Sequence, residues 1–195
     1  RNVKELSPAH GLPLLWALDF NVDPLCSLVA QKVKGEVRVL DEIVLRRATT
    51  EQLCDEFVQR FGSPAGGVDV YGDASGSAMH TSSDSSDYGV IRDFFRSRSV
   101  RVRFHVPKSN PSVRDRVVTM NGRLRNAADE VSLFVSPKCK ELIDDFEQVS
   151  YEEDSTQIDK TKDRRRTHSS DALGYVVWQE CHDSGTVGER GQRLI

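Results

Sequence analysis

The hydrophobic pattern of the first 45 residues predicts three consecutive strands. Apolar positions dominate residues 14–19, 25–33 and 37–45. The last two runs are joined by Lys34-Gly35-Glu36, a sequence that suits a hairpin turn. Consecutive strands with short connections favour an antiparallel meander, which we expect at the start of the chain.

After the meander, helical and strand patterns alternate. Thr49 or Thr50 would cap a helix that runs to about Phe61, where residues 62–64 (Gly-Ser-Pro) would end it. The strand at 68–71 follows, and a helix between two strands makes them parallel neighbours in one sheet. The remaining predicted elements are a helix near 88–98, a strand at 100–106, a helix near 112–126, a short strand or turn at 132–135 and a helix from Pro137 to about Tyr151.

Two of the predicted helices have a specified face. The helix near 112–126 is expected to bury one side, and the stretch from Ser170 to Trp178 indicates a final, amphipathic helix. The buried side of the former would consist of Val113, Val117, Met120 and Leu124. The element order β-β-β-α-β-α-β-α-(β)-α-α predicts an α/β fold with a mixed sheet and helices on both of its faces.

Three aspartates lie where these elements begin or end. Asp19 ends the first strand, Asp73 follows the strand at 68–71, and Asp171 begins the last helix. If the two strands are neighbours and the helix packs across them, the three carboxylates converge and repel one another unless cations are present. Two Mg²⁺ or Mn²⁺ ions would relieve that repulsion and support phosphodiester hydrolysis. The alternative is three unrelated caps, because Asp is favoured at turns and helix starts.

Two further acids are secondary candidates. Asp23 precedes Pro24 and would only shape a turn. Strand alternation points Asp69 to the same face as Tyr71 and Asp73, so Asp69 stays open as a further metal ligand.

Composition narrows the class of protein. The 195 residues fit one domain, with 37% hydrophobic and 29% charged residues. No apolar run reaches the ~20 residues that span a bilayer, and residues 1–5 show no signal-peptide pattern, so we expect a cytoplasmic protein without membrane contact. The four cysteines form no C-x-x-C pair, which favours reduced core thiols over a zinc or redox site.

The chain carries a net charge of −3, but its basic residues cluster. A dense basic run precedes the last helix and would contact a DNA backbone, unless it is only a solvated loop. The run consists of Lys160, Lys162, Arg164, Arg165 and Arg166. Residues 74–86 are rich in Ser and predict a mobile loop beside the three aspartates. We expect one domain over residues 1–181 and a poorly ordered tail over 182–195.

Three motifs in this order resemble the nuclease domain of tailed-bacteriophage terminase large subunits, within the RNase H-like superfamily. They are residues 16–24, 70–73 and 168–175, and the resemblance covers about residues 12–180. It implies that Asp19 bridges two metal ions and that Asp73 and Asp171 each complete the oxygen shell of one ion. His168 would hydrogen-bond the attacking water or a phosphate, or would only be a helix-entry residue.

The resemblance also implies a biological setting. Double-stranded viral DNA in concatemers would be the substrate, cleaved during genome packaging in the cytoplasm of the infected bacterial host. An ATPase motor domain, a small terminase subunit and the portal would be the partners. The phosphate-loop motif G-x-x-x-x-G-K-[ST] is absent: Gly62 and Gly67 have the right interval, but Val68 follows instead of Lys. We therefore expect no ATP-driven packaging from this chain alone.

Three other classes remain open. Another RNase H-like nuclease or strand-transferase, of the resolvase or transposase type, would share the acids and differ in substrate. A nucleotide-binding protein of the actin or sugar-kinase type would need Gly-rich hairpins after the first and fourth strands, and residues 21–24, after the first strand, contain no Gly. A non-catalytic DNA-docking module would not need the intact set of three acids.

Overall fold

The computed structural model describes residues 1–20, 23–77, 86–148 and 168–181. Strands and helices alternate along these ranges, as the sequence predicts. In chain order they are β1 (Leu14–Asp19), β2 (Leu25–Val33), β3 (Glu36–Leu45), α1 (Thr50–Phe61), β4 (Val68–Gly72), a single 3₁₀ turn (Ala74–Ser77), α2 (Asp87–Ser97), β5 (Val102–His105), α3 (Val113–Leu124), β6 (Leu133–Val135), α4 (Lys140–Gln148) and α5 (His168–Cys181).

The strands form one mixed sheet in the order β5-β4-β1-β2-β3-β6. The expected meander is confirmed, because β1, β2 and β3 pair antiparallel. The other pairs, β1 with β4, β4 with β5 and β3 with β6, are parallel. The predicted α/β fold with a mixed sheet is therefore confirmed, and β1 and β4 are adjacent interior strands of that sheet.

Strand alternation divides the core into two layers, one on each face of the sheet. Leu15 and Ala17 of β1 pack with residues of α3, α4 and α5. Leu14, Trp16 and Leu18, on the opposite face of β1, pack with residues of α1 and α2. Helices therefore cover both faces, and β1 is buried from both sides.

Helix α1 follows its sequence signals closely. The Thr49 side chain accepts a hydrogen bond from the Gln52 backbone N–H, and the Gln52 side chain accepts one from the Thr49 N–H. This reciprocal capping box fixes the helix start. At the other end, Gly62 has φ of 63°, which a glycine adopts without strain.

Helix α5 differs from its prediction in two respects. It begins at His168, two residues before the expected start, and it is buried almost all round instead of being amphipathic. The physical reason is its place in the fold, since α5 contacts β1, β2 and β4 on one side and α3 and α4 on the other. A helix enclosed by a sheet and two helices has no polar face to present to solvent.

Two other predictions about helices need correction. Val113, expected inside, is 38% exposed, and Arg116 takes the buried position one turn along α3. Pro137 does not begin α4, which starts at Lys140. The carboxylate of Glu42 in β3 accepts hydrogen bonds from the backbone N–H groups of residues 141 and 142, at 2.8 and 3.0 Å, and so sets the first turn of α4.

The loop expected over residues 74–86 begins with regular structure. Ala74–Ser77 form a 3₁₀ turn, and residues 78–85 lie outside the described part of the chain. The predicted basic run at 160–166 and the predicted tail at 182–195 also lie outside it. All four cysteines are buried free thiols, as expected. No helix in the described ranges combines the length and apolar character that crossing a bilayer requires.

Candidate active site

The parallel pairing of β1 and β4 brings two of the candidate aspartates to one edge of the sheet. Leu18 and Gly72 are partners in the ladder, so the next residues, Asp19 and Asp73, leave neighbouring strands at the same level. Strand alternation places Asp19 on the face of Leu15 and Ala17, which is the face covered by α5. Both carboxylates therefore lie at the sheet edge on the α5 side.

Helix α5 brings His168 and Asp171 to the same edge. Nδ1 of His168 lies 3.1 Å from Oδ2 of Asp19, across 149 residues of sequence. Both side chains are more than four-fifths buried. Asp171 follows one helical turn after His168, so the start of α5 faces the end of β1.

Arg116 of α3 holds Asp171 in place. Its Nη1 atom donates to both the backbone carbonyl oxygen and Oδ1 of Asp171, at 3.1 and 3.2 Å. The guanidinium also lies 4.4 Å from the ring centroid of Tyr175. Gly174 leaves room for the Arg116 side chain, because a Cβ at position 174 would lie 3.3 Å from Nη1 of Arg116. A buried cation therefore offsets the charge of one of the three aspartates.

The Tyr175 phenol is influenced by the charges of all three aspartates. Burial is the main reason why the pKa of the Tyr175 phenol is raised. The positive charge of Arg116 lowers this pKa, while the negative charges of Asp73, Asp171 and Asp19 raise it. All three predicted carboxylates thus lie close enough to one phenol to act on its ionisation.

Asp73 is fixed by a separate set of contacts. Its Oδ2 accepts from the side-chain amide of Asn110 at 3.2 Å, and its Oδ1 accepts from the backbone N–H of Ser75. The Tyr88 hydroxyl donates to the Asp73 carbonyl oxygen at 2.8 Å. Asn110 also accepts from the Ala74 N–H, so it ties the β5–α3 connection to the turn after β4.

The start of α5 is capped by a buried carboxylate. Oδ2 of Asp145, in α4, accepts a hydrogen bond from the Ser170 backbone N–H at 3.0 Å, and Asp145 is only 4% exposed. Glu42 of β3 caps α4 in the same way. The position of the helix that carries His168 and Asp171 is therefore connected to β3 through two successive carboxylate caps.

The two secondary acids have hydrogen-bond partners of their own. Asp69 lies four residues before Asp73 on β4, ~13 Å along the strand, and its two oxygens pair with Nε and Nη2 of Arg103 at 2.5 and 2.7 Å. Oδ1 of Asp23 accepts from the Arg47 backbone N–H at 3.2 Å. Asp69 is thus engaged elsewhere, and Asp23 shapes a loop.

No group of three or more Asp, Glu, His or Cys side chains in the described ranges is arranged to hold a metal ion as it stands. Asp73 and Asp171 are hydrogen-bonded to Asn110 and Arg116, respectively. The donor chemistry nevertheless suits a hard divalent cation, which prefers carboxylate oxygens. We therefore keep the metal site as a proposal.

Sequence reasoning missed four residues that shape the site: Asn110, Arg116, Asp145 and Tyr175. One of them carried a usable signal, since Arg116 lies three residues after Val113 and four before Met120, on the apolar side expected of α3. The partners of Asn110 and Asp145 are 37 and 25 residues away along the chain. No local pattern indicates contacts of that kind.

The sequence matches no model of a known protein family and no curated protein. The fold does match solved structures. The large terminase of a thermophilic bacteriophage aligns with a TM-score of 0.62 and 15% identity, over 91% of this chain and 42% of that one. The P22 large terminase nuclease domain aligns with a TM-score of 0.63 and 14% identity, over 91% and 86%. The large terminase nuclease domain of bacteriophage SPP1, with bound Mn, aligns with a TM-score of 0.52 and 17% identity, over 92% and 96%.

The chain thus spans less than half of the terminase from the thermophilic bacteriophage but most of both isolated nuclease domains. Identities this low show a shared fold and nothing finer. At that level the predicted resemblance to terminase nuclease domains, and with it the RNase H-like fold, is confirmed.

Replacing Gly72 by Ala should destabilise the protein. A Cβ at this position would lie 2.5 Å from the Tyr88 hydroxyl and 2.8 Å from the Leu18 carbonyl oxygen, so backbone would have to move. We expect a loss of roughly 1–3 kcal/mol, measured as a lower midpoint of urea unfolding.

Gly122→Ala is the matched control. This glycine lies within α3 with nothing within 4 Å of an added Cβ, so the same change should stabilise the helix by up to about 1 kcal/mol. A Gly72→Ala protein as stable as the wild type would show that the end of β4 accommodates a side chain.

Proposed function

We propose that this chain is a divalent-metal-dependent endonuclease domain of the terminase large subunit type, cutting double-stranded DNA by two-metal-ion hydrolysis. The single observation that carries the proposal is the juxtaposition of Asp19 and Asp73 at the ends of parallel neighbours, with His168 of α5 in contact with Asp19. The shared fold with the three terminase structures supports it.

The residues that would hold the ions are Asp19, Asp73 and Asp171. Their oxygens match the preference of Mg²⁺ or Mn²⁺ for hard ligands, and Mn is bound in the related SPP1 nuclease domain. Two bound ions would activate a water and stabilise the charge that develops on the phosphate. Asp19, which ends the strand next to β4 and contacts His168, is our candidate for a ligand common to both ions.

Three further residues would position these ligands. His168 would orient Asp19 through Nδ1, which lies 3.1 Å from Oδ2 of Asp19. Arg116 donates to both the backbone carbonyl oxygen and the carboxylate of Asp171, so α3 sets the direction of that carboxylate. Asn110 does the same for Asp73.

The substrate side of the proposal extends beyond the described residues. The basic run, which comprises Lys160, Lys162, Arg164, Arg165 and Arg166, would contact DNA phosphates ahead of α5. In a phage setting, cleavage would release packaged DNA from concatemers in the host cytoplasm. An ATPase motor domain, a small terminase subunit and the portal would be the partners.

Asp19→Asn, Asp73→Asn and Asp171→Asn should each abolish nearly all metal-dependent cleavage, because each removes a charged ligand from a shared site. The assay is conversion of supercoiled plasmid to nicked or linear DNA with Mg²⁺ or Mn²⁺, and with a chelator as the blank. A four-way junction substrate, run in parallel, separates a terminase-type nuclease from a resolvase.

Asp144→Asn is the control for this series. Asp144 is an exposed acid on α4, next to the buried Asp145, and its loss should leave cleavage unchanged. Near-wild-type cleavage by any one of the three site variants removes that residue from the site. Absence of cleavage by the wild type with every metal would favour a non-catalytic DNA-docking module.

His168→Ala should slow cleavage by about 10–100-fold, the usual effect of losing a group that orients a metal ligand. His168→Asn retains a donor near Asp19 and should recover part of the rate. The measurement is the single-turnover rate as a function of Mn²⁺ concentration. Wild-type rates in His168→Ala would identify His168 as a helix-entry residue without a chemical role.

Mn²⁺ should raise the melting temperature of the wild type, because it binds the folded carboxylates and relieves their repulsion. At a hundredfold excess over Kd the gain is ~2.7 kcal/mol, or several degrees for a domain of this size. Asp19→Asn should show a much smaller increase, and Asp144→Asn the full one. Equal increases in wild type and Asp19→Asn, measured by thermal denaturation, would mean that the acids form no joint site.

A further inference from the structure

Several exposed basic side chains are neutralised by neighbouring carboxylates. Arg60 pairs with Glu56 and Asp41, and Arg103 pairs with Asp69. Four other basic side chains lie at the end of the sheet where Asp19 and Asp73 are located. None of the four has an ion-pair partner among the described residues. They are Arg46, Arg47, Lys108 and Arg114.

Arg46 and Arg47 lie on one flank of the candidate site. In the sheet, Asp19 of β1 pairs with Cys26 of β2, and Cys26 pairs with Val44 of β3. Arg46 and Arg47 follow the end of β3, just after this row of paired residues. Arg47 has a φ of 50°, and its backbone N–H donates to Asp23, in the segment after β1. The connection from β3 to α1 is thereby fastened to the segment after Asp19, with both side chains exposed.

Lys108 and Arg114 lie on the other flank. Lys108 is two residues before Asn110, which holds the Asp73 carboxylate. Arg114 lies in the first turn of α3, which begins shortly after Asn110 and carries Arg116. Both side chains are exposed, while Asn110 between them is anchored to the site.

We propose that Arg46 and Arg47 on one flank, and Lys108 and Arg114 on the other, contact the phosphates of one DNA molecule on both sides of the scissile bond. This inference rests on the proposed nuclease function. The ends of β3 and β5 are four strand spacings apart, ~19 Å, so the two flanks enclose the three aspartates between them. Because the aspartates repel phosphate, a net attraction has to come from cations placed around them.

The test measures DNA affinity rather than cleavage. All proteins carry Asp19→Asn to prevent cutting, and fluorescence anisotropy gives the Kd of a labelled duplex at several salt concentrations with Mg²⁺ present. Arg46→Gln with Arg47→Gln forms one variant, and Lys108→Gln with Arg114→Gln the other. Each lost phosphate contact lowers the log–log salt slope by ~0.9, so each pair should lower it by nearly 2, equally for duplexes of two unrelated sequences.

The matched control is Lys34→Gln with Arg101→Gln. It also removes two exposed charges without an ion-pair partner in the described ranges, but from the opposite edge of the sheet, at the β2–β3 hairpin and the start of β5. Its slope should equal that of the parent. A flank variant with the parent's slope, or a control with the same loss as the flank variants, overturns the proposal.

The outcome separates this inference from the proposed function. A lowered slope in both flank variants with no plasmid cleavage by the wild type contradicts the nuclease proposal and retains the DNA surface. Normal metal-dependent cleavage with unchanged slopes supports the nuclease proposal and contradicts the DNA surface.

Discussion

The parallel pairing of β1 with β4 is the constraint on which the rest of the site depends. This pairing places the ends of two strands side by side, and each strand end carries a carboxylate, Asp19 or Asp73. Such an arrangement would be costly without compensation. The fold supplies it through the imidazole of His168, the guanidinium of Arg116 and the amide of Asn110. Each comes from a different element, so the edge is stable only in the assembled domain.

Local signals in the sequence were sufficient for most of the fold. The apolar runs of β1 to β3, the Lys34-Gly35 turn and the cap at Thr49 act over a few residues, and the structure confirms them. The errors arose where tertiary contacts prevail over local preference. Helix α5 is enclosed on several sides, and α4 begins where Glu42 of β3 accepts its N–H groups instead of at Pro137.

The same distinction between local sequence signals and tertiary contacts applies to the candidate site. Its aspartates could be proposed from the sequence because each follows or begins a regular element, and in the structure Asp19 and Asp73 lie at neighbouring strand ends with His168 against Asp19. The groups that hold them were not found, since the contacts join residues tens of positions apart in the chain. Arg116 also contradicts the apolar pattern of α3, where a buried cation pairs with Asp171 rather than with solvent.

The close packing of Gly174 against Arg116 has an evolutionary consequence. A side chain larger than methyl at 174 would occupy the space that the guanidinium needs, because even a Cβ stands 3.3–3.5 Å from three atoms of Arg116. The two positions should therefore change together. Homologues with a bulkier residue at 174 are expected to carry a shorter one at 116, and to take the positive charge beside Asp171 from elsewhere in the chain.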